Sequence, residues 1–152
     1  YSIRFRPPGG PRSYTSLAGS VALQVTSKSI VEDLASYGVV PRKTFVAQGP
    51  DELINSKDFW RGYIDGDGWV CQSKEGYPIV GLTGTRDVCE QAQQFILTIA
   101  PGRTSIQPNG SIWKLALKGK RALTLIEHLY ADADTYLDRK HSTALRLLGR
   151  LT

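Results

Sequence analysis

Hydrophobic and polar positions follow two different periods along the second half of the chain. Apolar residues recur every three or four positions in three segments, which predicts amphipathic helices over residues 85–100, 120–130 and 136–148. Alternating positions predict two hairpins, formed by residues 69–73 with 79–83 and 103–107 with 111–117. Asn109-Gly110 supplies the turn signal of the second hairpin. With an apolar helical segment before the first hairpin, the predicted order is helix, hairpin, helix, hairpin, helix, helix.

The beginning of the chain repeats part of this order. Strand patterns over residues 2–6 and 21–26 precede a helix pattern over residues 27–37, and the pair Arg42-Lys43 then follows as Arg139-Lys140 follows later. We therefore predict three parts. These are the back half of a first unit in residues 1–46, a linker in residues 47–56, and a complete second unit in residues 57–152.

Composition narrows the class of protein. The 19 Lys and Arg residues outnumber 14 Asp and Glu residues, for a net charge of +5 and a pI near 9.3, which favours polyanionic partners only weakly. No apolar run reaches transmembrane length, so we expect no membrane partner. Cys71 and Cys89 form no CxxC pair, which argues against a zinc site and predicts a reduced, intracellular setting in the cytoplasm or an organelle.

Residues 59–70 carry the most specific pattern. Gly62 and Gly66 lie four apart and so share one helix face, where another helix could approach closely. Asp65 and Asp67 follow at the C-terminal end of the helix, whose dipole attracts a cation. An EF-hand calcium loop would require a glutamate where Gly76 stands, which excludes that interpretation.

The register of this segment resembles the nine-residue motif of the LAGLIDADG homing endonucleases. Trp60 stands at the first position, Gly62 at the third, Asp65 at the sixth, Asp67 at the eighth and Gly68 at the ninth. Residues 38–43 and 136–140 are also similar to two-repeat members, so the resemblance covers nearly the whole chain. It implies an α+β fold built from helix-hairpin-helix-hairpin-helix units, each presenting a curved antiparallel sheet to DNA. The two motif helices of such a pair pack together and bring their acidic ends to the scissile phosphates.

The resemblance also implies roles for individual residues. Asp67 and the carbonyl of Gly66 would bind Mg²⁺ or another hard divalent cation such as Mn²⁺ or Ca²⁺, and Asp65 would buttress the helix end. Lys140, and Lys43 in the other unit, would lie near the active site as catalytic lysines. Where some relatives carry a polar residue at the end of the first hairpin, Gly84 or Thr83 stands here, which leaves the residue that positions water open.

The exposed strand faces would contact double-stranded DNA, with Arg and Gln reading bases and Lys contacting phosphates. The expected contacts in the first unit are Arg4, Arg6, Gln24 and Lys28. Those in the second unit are Gln72, Lys74, Arg86, Arg103, Ser105, Gln107, Lys114 and Lys118.

Three functions fit these features. The first is a sequence-specific, divalent-cation-dependent DNA endonuclease, or a large piece of one. The second is a noncatalytic nucleic-acid binder of the same fold, such as an RNA maturase or a DNA-binding regulator, since this chain contains only one aspartate helix. The third is the endonuclease part of an intein, although no splicing residues stand at the ends.

The chain starts at Tyr1 and contains no methionine, so we expect that it lacks its native start. The motif helix then needs a partner for its glycine face, because a single unit would leave apolar surface exposed. We expect a missing N-terminal segment or a second polypeptide to supply the other motif helix, and otherwise self-association through Gly62 and Gly66.

Overall fold

The computed structural model describes residues 2–6, 20–39 and 47–150. The chain divides into two compact units, Tyr1–Ser36 and Tyr37–Thr152. In the first, strand β1 (Ser2–Arg6) pairs antiparallel with β2 (Ser20–Gln24), and helix α1 (Lys28–Ser36) follows. These elements confirm the two strands and the helix predicted for this part of the chain.

The described residues of the second unit form four helices and one four-stranded sheet. Its elements are α2 (Lys57–Asp67), β3 (Gly68–Gln72), β4 (Pro78–Gly84), α3 (Arg86–Ile99), β5 (Ile106–Asn109), β6 (Ile112–Lys118), α4 (Lys120–Tyr130) and α5 (Asp138–Leu147). The sheet is antiparallel throughout, with strand order β3-β4-β6-β5. The predicted α+β class and both predicted hairpins are therefore confirmed.

Side-chain caps begin the two helices that flank the first hairpin. The hydroxyl of Ser56 accepts a hydrogen bond from the amide of Phe59 at the start of α2, at 3.3 Å. The hydroxyl of Thr85 accepts one from the amide of Val88 at the start of α3, at 3.1 Å. Each cap satisfies an amide that lacks a partner within its helix.

The sheet has one face covered by helices. Its covered face contributes Val70, Val80, Leu82, Leu115 and Leu117 to a core that also contains residues of the helices. These helix residues include Trp60, Ile64, Val88, Ala92, Phe95, Leu125, Ile126 and Leu129. Because side chains alternate along a strand, the residues between the core positions point to the opposite side, which we call the outer face.

Two elements begin later than predicted, and tertiary hydrogen bonds account for both. Strand β5 begins at Ile106 rather than residue 103, because Arg121 holds the preceding loop by donating to the carbonyl of Arg103 and the hydroxyl of Thr104. Helix α5 begins at Asp138 rather than Tyr136. The amide of Leu137 donates to a carboxylate of α2 instead of entering the helix.

Residues 47–56, predicted as a linker, belong to the second unit and pack against its other elements. Gly49 is buried, its amide donates to the side chain of Gln91 at 2.8 Å, and its carbonyl accepts from the same side chain at 3.0 Å. The indole of Trp60 donates to the carbonyl of Ile54. None of the helices in the described ranges combines the length and hydrophobicity that a membrane crossing requires.

Candidate functional site

The end of helix α2 is joined to the sheet without a loop. Asp67 is the last helical residue, and Gly68 is the first residue of β3. A Cβ atom at Gly68 would lie 2.5 Å from the carbonyl oxygen of Gly81 and 2.8 Å from the Cα of Ile64. Only glycine fits this passage between helix and strand, so the glycine at the ninth position of the motif fixes where Asp67 stands.

Lys140 of α5 satisfies most of the carbonyl oxygens at this helix end. The side chain is buried, and its ammonium donates to the carbonyls of Ile64 at 2.5 Å, Asp65 at 2.8 Å and Gly68 at 2.6 Å. An ammonium has three donors, so these bonds use all of them. Burial lowers the pKa of Lys140, and the charge of Arg139 lowers it further, while the charges of Asp65 and Asp67 oppose that shift.

The remaining oxygens at the helix end accept no hydrogen bond from Lys140. The hydroxyl of Thr83 donates to the carbonyl of Asp67 at 3.2 Å. Within the described residues, no hydrogen bond reaches the carbonyl oxygen of Gly66, and no hydrogen bond or ion pair reaches the carboxylate of Asp67, which is exposed. The two groups predicted to bind a cation are therefore the ones left free.

The carboxylate of Asp65 makes two structural hydrogen bonds at the end of α2. One carboxylate oxygen accepts from the hydroxyl of Tyr130 at 2.7 Å, and the other accepts from the amide of Leu137 at 2.9 Å. Burial raises the pKa of Tyr130, and the hydrogen bond to Asp65 raises it further, so that hydroxyl keeps its proton. Asp65 thus buttresses α2 against α4 and the start of α5.

Asp67 borders a cavity of about 260 Å³ together with Tyr63, which was not among the predicted site residues. Tyr63, Thr83 and Gly84 line the same cavity. The hydroxyl of Tyr63 donates to the carbonyl of Thr83 at 3.2 Å. A Cβ atom at Gly84 would lie 2.6 Å from the Tyr63 oxygen, so the tyrosine hydroxyl occupies the space of the absent side chain.

The environment of Tyr63 keeps its hydroxyl protonated. Burial raises the pKa of Tyr63 to about 12, and the charge of Asp67 contributes to the increase, followed by Cys89. Tyr63 and Asp67 are four residues apart on one helix, so they share a face, and this spacing was the signal available in the sequence.

Five of the predicted DNA contacts lie together at the outer face of the sheet. They border a concavity of about 570 Å³, and no Asp or Glu is among its lining residues. The five are Arg103, Ser105, Gln107, Lys114 and Lys118, with Arg121 as a further cation that the sequence reasoning missed.

Strand pairing connects this basic face to the end of α2. Gln107 pairs with Lys114, and Lys114 pairs with Thr83 in the neighbouring strand, so these three residues form one row across the outer face. Thr83 then donates its hydroxyl to the carbonyl of Asp67. The cationic surface and the free carboxylate therefore adjoin each other.

Three other predicted contacts of the second unit lie elsewhere. Gln72 alternates onto the side of Val70, and its amide donates to the carbonyl of Gly76 at 2.9 Å. Lys74 is exposed in the turn of the first hairpin. Arg86 binds the carboxylate of Glu90 at 2.8 Å and lies over the ring of Trp113, 5.4 Å from its centroid.

The predicted contacts of the first unit are described only in part. Gln24 and Lys28 are exposed, and Lys28 lies 3.5 Å from Glu32 in an ion pair. Arg4 and Arg6 belong to β1, with side chains outside the described part of the structure. Lys43 also lies outside the described residues.

The glycine face of α2 is open. Gly62 and Gly66 are exposed, and within the described residues no atom outside their own helix turn lies within 4 Å of a Cβ built at either position. A groove of about 730 Å³ beside Gly62 is bordered by Asp65, Tyr136 and Leu137, among others, and Asp67 is not among its lining residues.

Comparison with known proteins adds no assignment to this geometry. No protein-family model matches the chain, and no curated protein matches it at a significant level. Among the described residues, no group of three or more His, Cys, Asp or Glu side chains is placed to bind a metal ion. The chemistry of the site therefore rests on Asp67, Gly66 and the basic outer face.

Proposed function

We propose that this chain is a sequence-specific DNA endonuclease of the LAGLIDADG type, or a large part of one, and that it hydrolyses phosphodiester bonds beside Asp67. One observation carries the proposal. At the end of α2, Lys140 and Thr83 occupy the neighbouring carbonyls and leave the Gly66 carbonyl and the Asp67 carboxylate free, next to a cationic sheet face.

The free oxygens fit a hard divalent cation. Mg²⁺ prefers carboxylate, carbonyl and water oxygens, which is the chemistry that Asp67 and Gly66 offer, and Mn²⁺ and Ca²⁺ accept the same donors. The negative end of the helix dipole favours a cation at this place. When bound, the cation would neutralise charge on the scissile phosphate and assist the attack of water. Asp67 and Gly66 would supply one side of its coordination shell.

The structure supports a positioning role for Lys140 in this proposal. With its three donors on backbone carbonyls, the ammonium has none left for water or phosphate. It ties α5 to the helix–strand junction and so holds Asp67 in place. This differs from the catalytic contact that the sequence resemblance implies for Lys140.

The outer face would bind the DNA. Lys114, Lys118 and Arg103 would neutralise phosphates, and Gln107 is suited to a base edge. Arg121 supports this surface indirectly, because it donates to the carbonyls of Ala100, Gly102 and Arg103 and so fixes the loop that carries Arg103.

A second motif helix would complete the site. The open face at Gly62 and Gly66 leaves room for a helix to approach at backbone distance, and such a helix would bring a second carboxylate beside Asp67. We propose that another segment of the natural protein or a second polypeptide supplies it, with self-association as the alternative. The free thiols of Cys71 and Cys89 fit an intracellular setting.

A noncatalytic nucleic-acid binder of the same fold is the second candidate. It is favoured by the complete use of the Lys140 donors, which leaves that ammonium none for water or phosphate. Such a protein, whether an RNA maturase or a DNA-binding regulator, would use the basic face without cutting.

Replacement of Asp67 by asparagine tests the proposal. The assay measures nicking and cleavage of a library of supercoiled DNA targets in Mg²⁺ or Mn²⁺, with chelator as a blank. Asp67→Asn should bind DNA as the wild type does and cleave at least ~100-fold more slowly, because it removes the carboxylate charge that would hold the cation beside the scissile phosphate. The matched control is Asp51→Asn, which removes an exposed carboxylate in a turn away from the site.

The outcomes separate the candidates. Wild-type cleavage by Asp67→Asn would refute the assignment of the site. Tight DNA or RNA binding by the wild type together with the segment or polypeptide that supplies the second motif helix, without cation-dependent nicking of any target, would establish the noncatalytic alternative.

A further inference from the structure

Tyr63 and Asp67 share one face of α2 and border the same small cavity. Thr83 and Gly84 form the opposite side of that cavity at the end of β4. The family resemblance assigns no residue of this chain to position water, because Gly84 has no side chain to do so. The Tyr63 hydroxyl fills that space, since a Cβ at Gly84 would lie only 2.6 Å from it.

The hydroxyl of Tyr63 is held in a defined orientation. Its proton is directed to the carbonyl of Thr83 at 3.2 Å. The ring packs near Trp60, with centroids 6.0 Å apart, and near Phe59, with centroids 6.4 Å apart. A phenolic oxygen that donates its proton in this way still has lone pairs, so it can accept a hydrogen bond from a water molecule in the cavity.

We propose that Tyr63 is the positioning residue for the attacking water, whose O–H it accepts in a hydrogen bond beside Asp67. The inference rests on the proposed endonuclease function. In the reaction, the water oxygen forms a bond to phosphorus and the bond from phosphorus to one sugar oxygen breaks. The water loses one proton to solvent, and the departing oxygen takes one from solvent. Tyr63 keeps its own proton, directed in a hydrogen bond to the Thr83 carbonyl, and orients the lone pair of the water from which it accepts.

A purely structural role for Tyr63 makes a different prediction. In that case the hydrogen bond to Thr83 would only fix the helix to the hairpin. Its loss would lower the stability of the fold and leave the chemical step unchanged. Measurements that separate catalysis from stability and binding therefore distinguish the two roles.

The first test compares Tyr63→Phe with Tyr77→Phe, which removes an exposed hydroxyl before β4. Cleavage is measured in a single turnover at saturating protein, and DNA affinity is measured separately. We expect Tyr63→Phe to bind DNA normally and to cleave about tenfold more slowly, since loss of orientation costs rate. Tyr77→Phe should match the wild type. An unchanged rate in Tyr63→Phe overturns the inference.

The variant Asp67→Asn distinguishes failure of the Tyr63 inference from failure of the proposed endonuclease function. If Asp67→Asn is inactive while Tyr63→Phe cleaves at the wild-type rate, the inference alone is wrong. If Asp67→Asn cleaves as the wild type does, the proposed function fails and the inference fails with it.

A second readout does not depend on cleavage. Mn²⁺ is paramagnetic and broadens the NMR signals of nearby protons. The ring signals of Tyr63 can be assigned as those that disappear from the spectrum of Tyr63→Phe. Substoichiometric Mn²⁺ should broaden these signals in the wild type and leave them sharp in Asp67→Asn. Broadening that is absent, or that persists in Asp67→Asn, shows that Tyr63 does not adjoin a cation at Asp67 and overturns the inference.

A double-mutant cycle tests the geometry itself. Gly84→Ala should destabilise the wild type, because the new Cβ meets the Tyr63 oxygen. In the Tyr63→Phe background the closest remaining neighbour is Val88 at 3.1 Å, so the same substitution should cost clearly less. Equal costs in both backgrounds would show that the hydroxyl does not occupy this space.

Discussion

Replacement of Lys140 by methionine removes the ammonium and keeps most of the side-chain length. In the folded chain, Lys140 is 3% exposed and donates to three carbonyls at the junction of α2 and β3. The variant cannot supply these donors. If the contacts hold the junction as the structure shows, Lys140→Met must lower the free energy of unfolding of the second unit substantially.

The size of the stability loss depends on whether each carbonyl keeps another hydrogen-bond partner in the variant. Ile64 keeps a partner, because its carbonyl also accepts the amide of Gly68. The carbonyls of Asp65 and Gly68 are partly buried and lose the bond from Lys140, and an acceptor left without a partner costs up to about 1–3 kcal/mol when it is fully buried. Relief of the desolvation of the buried ammonium offsets part of this. We expect a net loss of about 3 kcal/mol, against a total stability of about 5–15 kcal/mol for a domain.

Guanidinium unfolding followed by tryptophan fluorescence measures this quantity. The three tryptophans are Trp60, Trp69 and Trp113, all in the second unit, so the signal reports that unit alone. The transition midpoint should fall while its slope against denaturant stays constant. Lys118→Met is the matched control, since Lys118 is exposed on the outer face and its loss should change stability by less than about 0.5 kcal/mol.

A loss in Lys140→Met no larger than that of the control would refute this reasoning. It would mean that the ammonium does not hold the carbonyls in solution. The catalytic contact that the sequence resemblance implies would then be the better account of Lys140.

Two further predictions concern the surfaces of the second unit. Gly62→Ala should raise the free energy of unfolding by about 0.5–1 kcal/mol, because alanine has the higher helix propensity and the glycine face is open. Sedimentation should show weaker association with any partner helix. A fall in stability would show that the glycine face is covered. Lys118→Gln should reduce the slope of log affinity for DNA against log salt by about 1, whereas Lys120→Gln, exposed at the start of α4 outside the concavity, should leave it unchanged.

Local sequence signals were enough to predict the elements. The change between helical and strand periods identified both hairpins and the helices around them, because these periods depend only on which residues face the core. Asn109-Gly110 marked its turn correctly, since Gly110 has a φ of 64° that few other residues accept. The glycine and aspartate spacing of residues 59–70 also placed Asp67 at a helix end.

Contacts between distant residues were decided by the tertiary structure. Lys140 reaches carbonyls more than seventy residues away, and nothing in the local pattern of α5 indicates which oxygens the junction leaves without partners. The same holds for Arg86, a predicted DNA contact, because only the folded structure shows that it pairs with Glu90 and lies over Trp113.

The sequence by itself determined the order of elements, the α+β class and the placement of Asp67 at the end of a glycine-bearing helix, because short-range periodicity and turn chemistry set these features. Only the tertiary structure decided that Lys140 holds the junction, that Tyr63 fills the space beside Gly84 and that Lys114 pairs with Thr83 beside Asp67. The physical reason is that burial and strand register choose among many chemically suitable partners, and both arise only when the whole core packs.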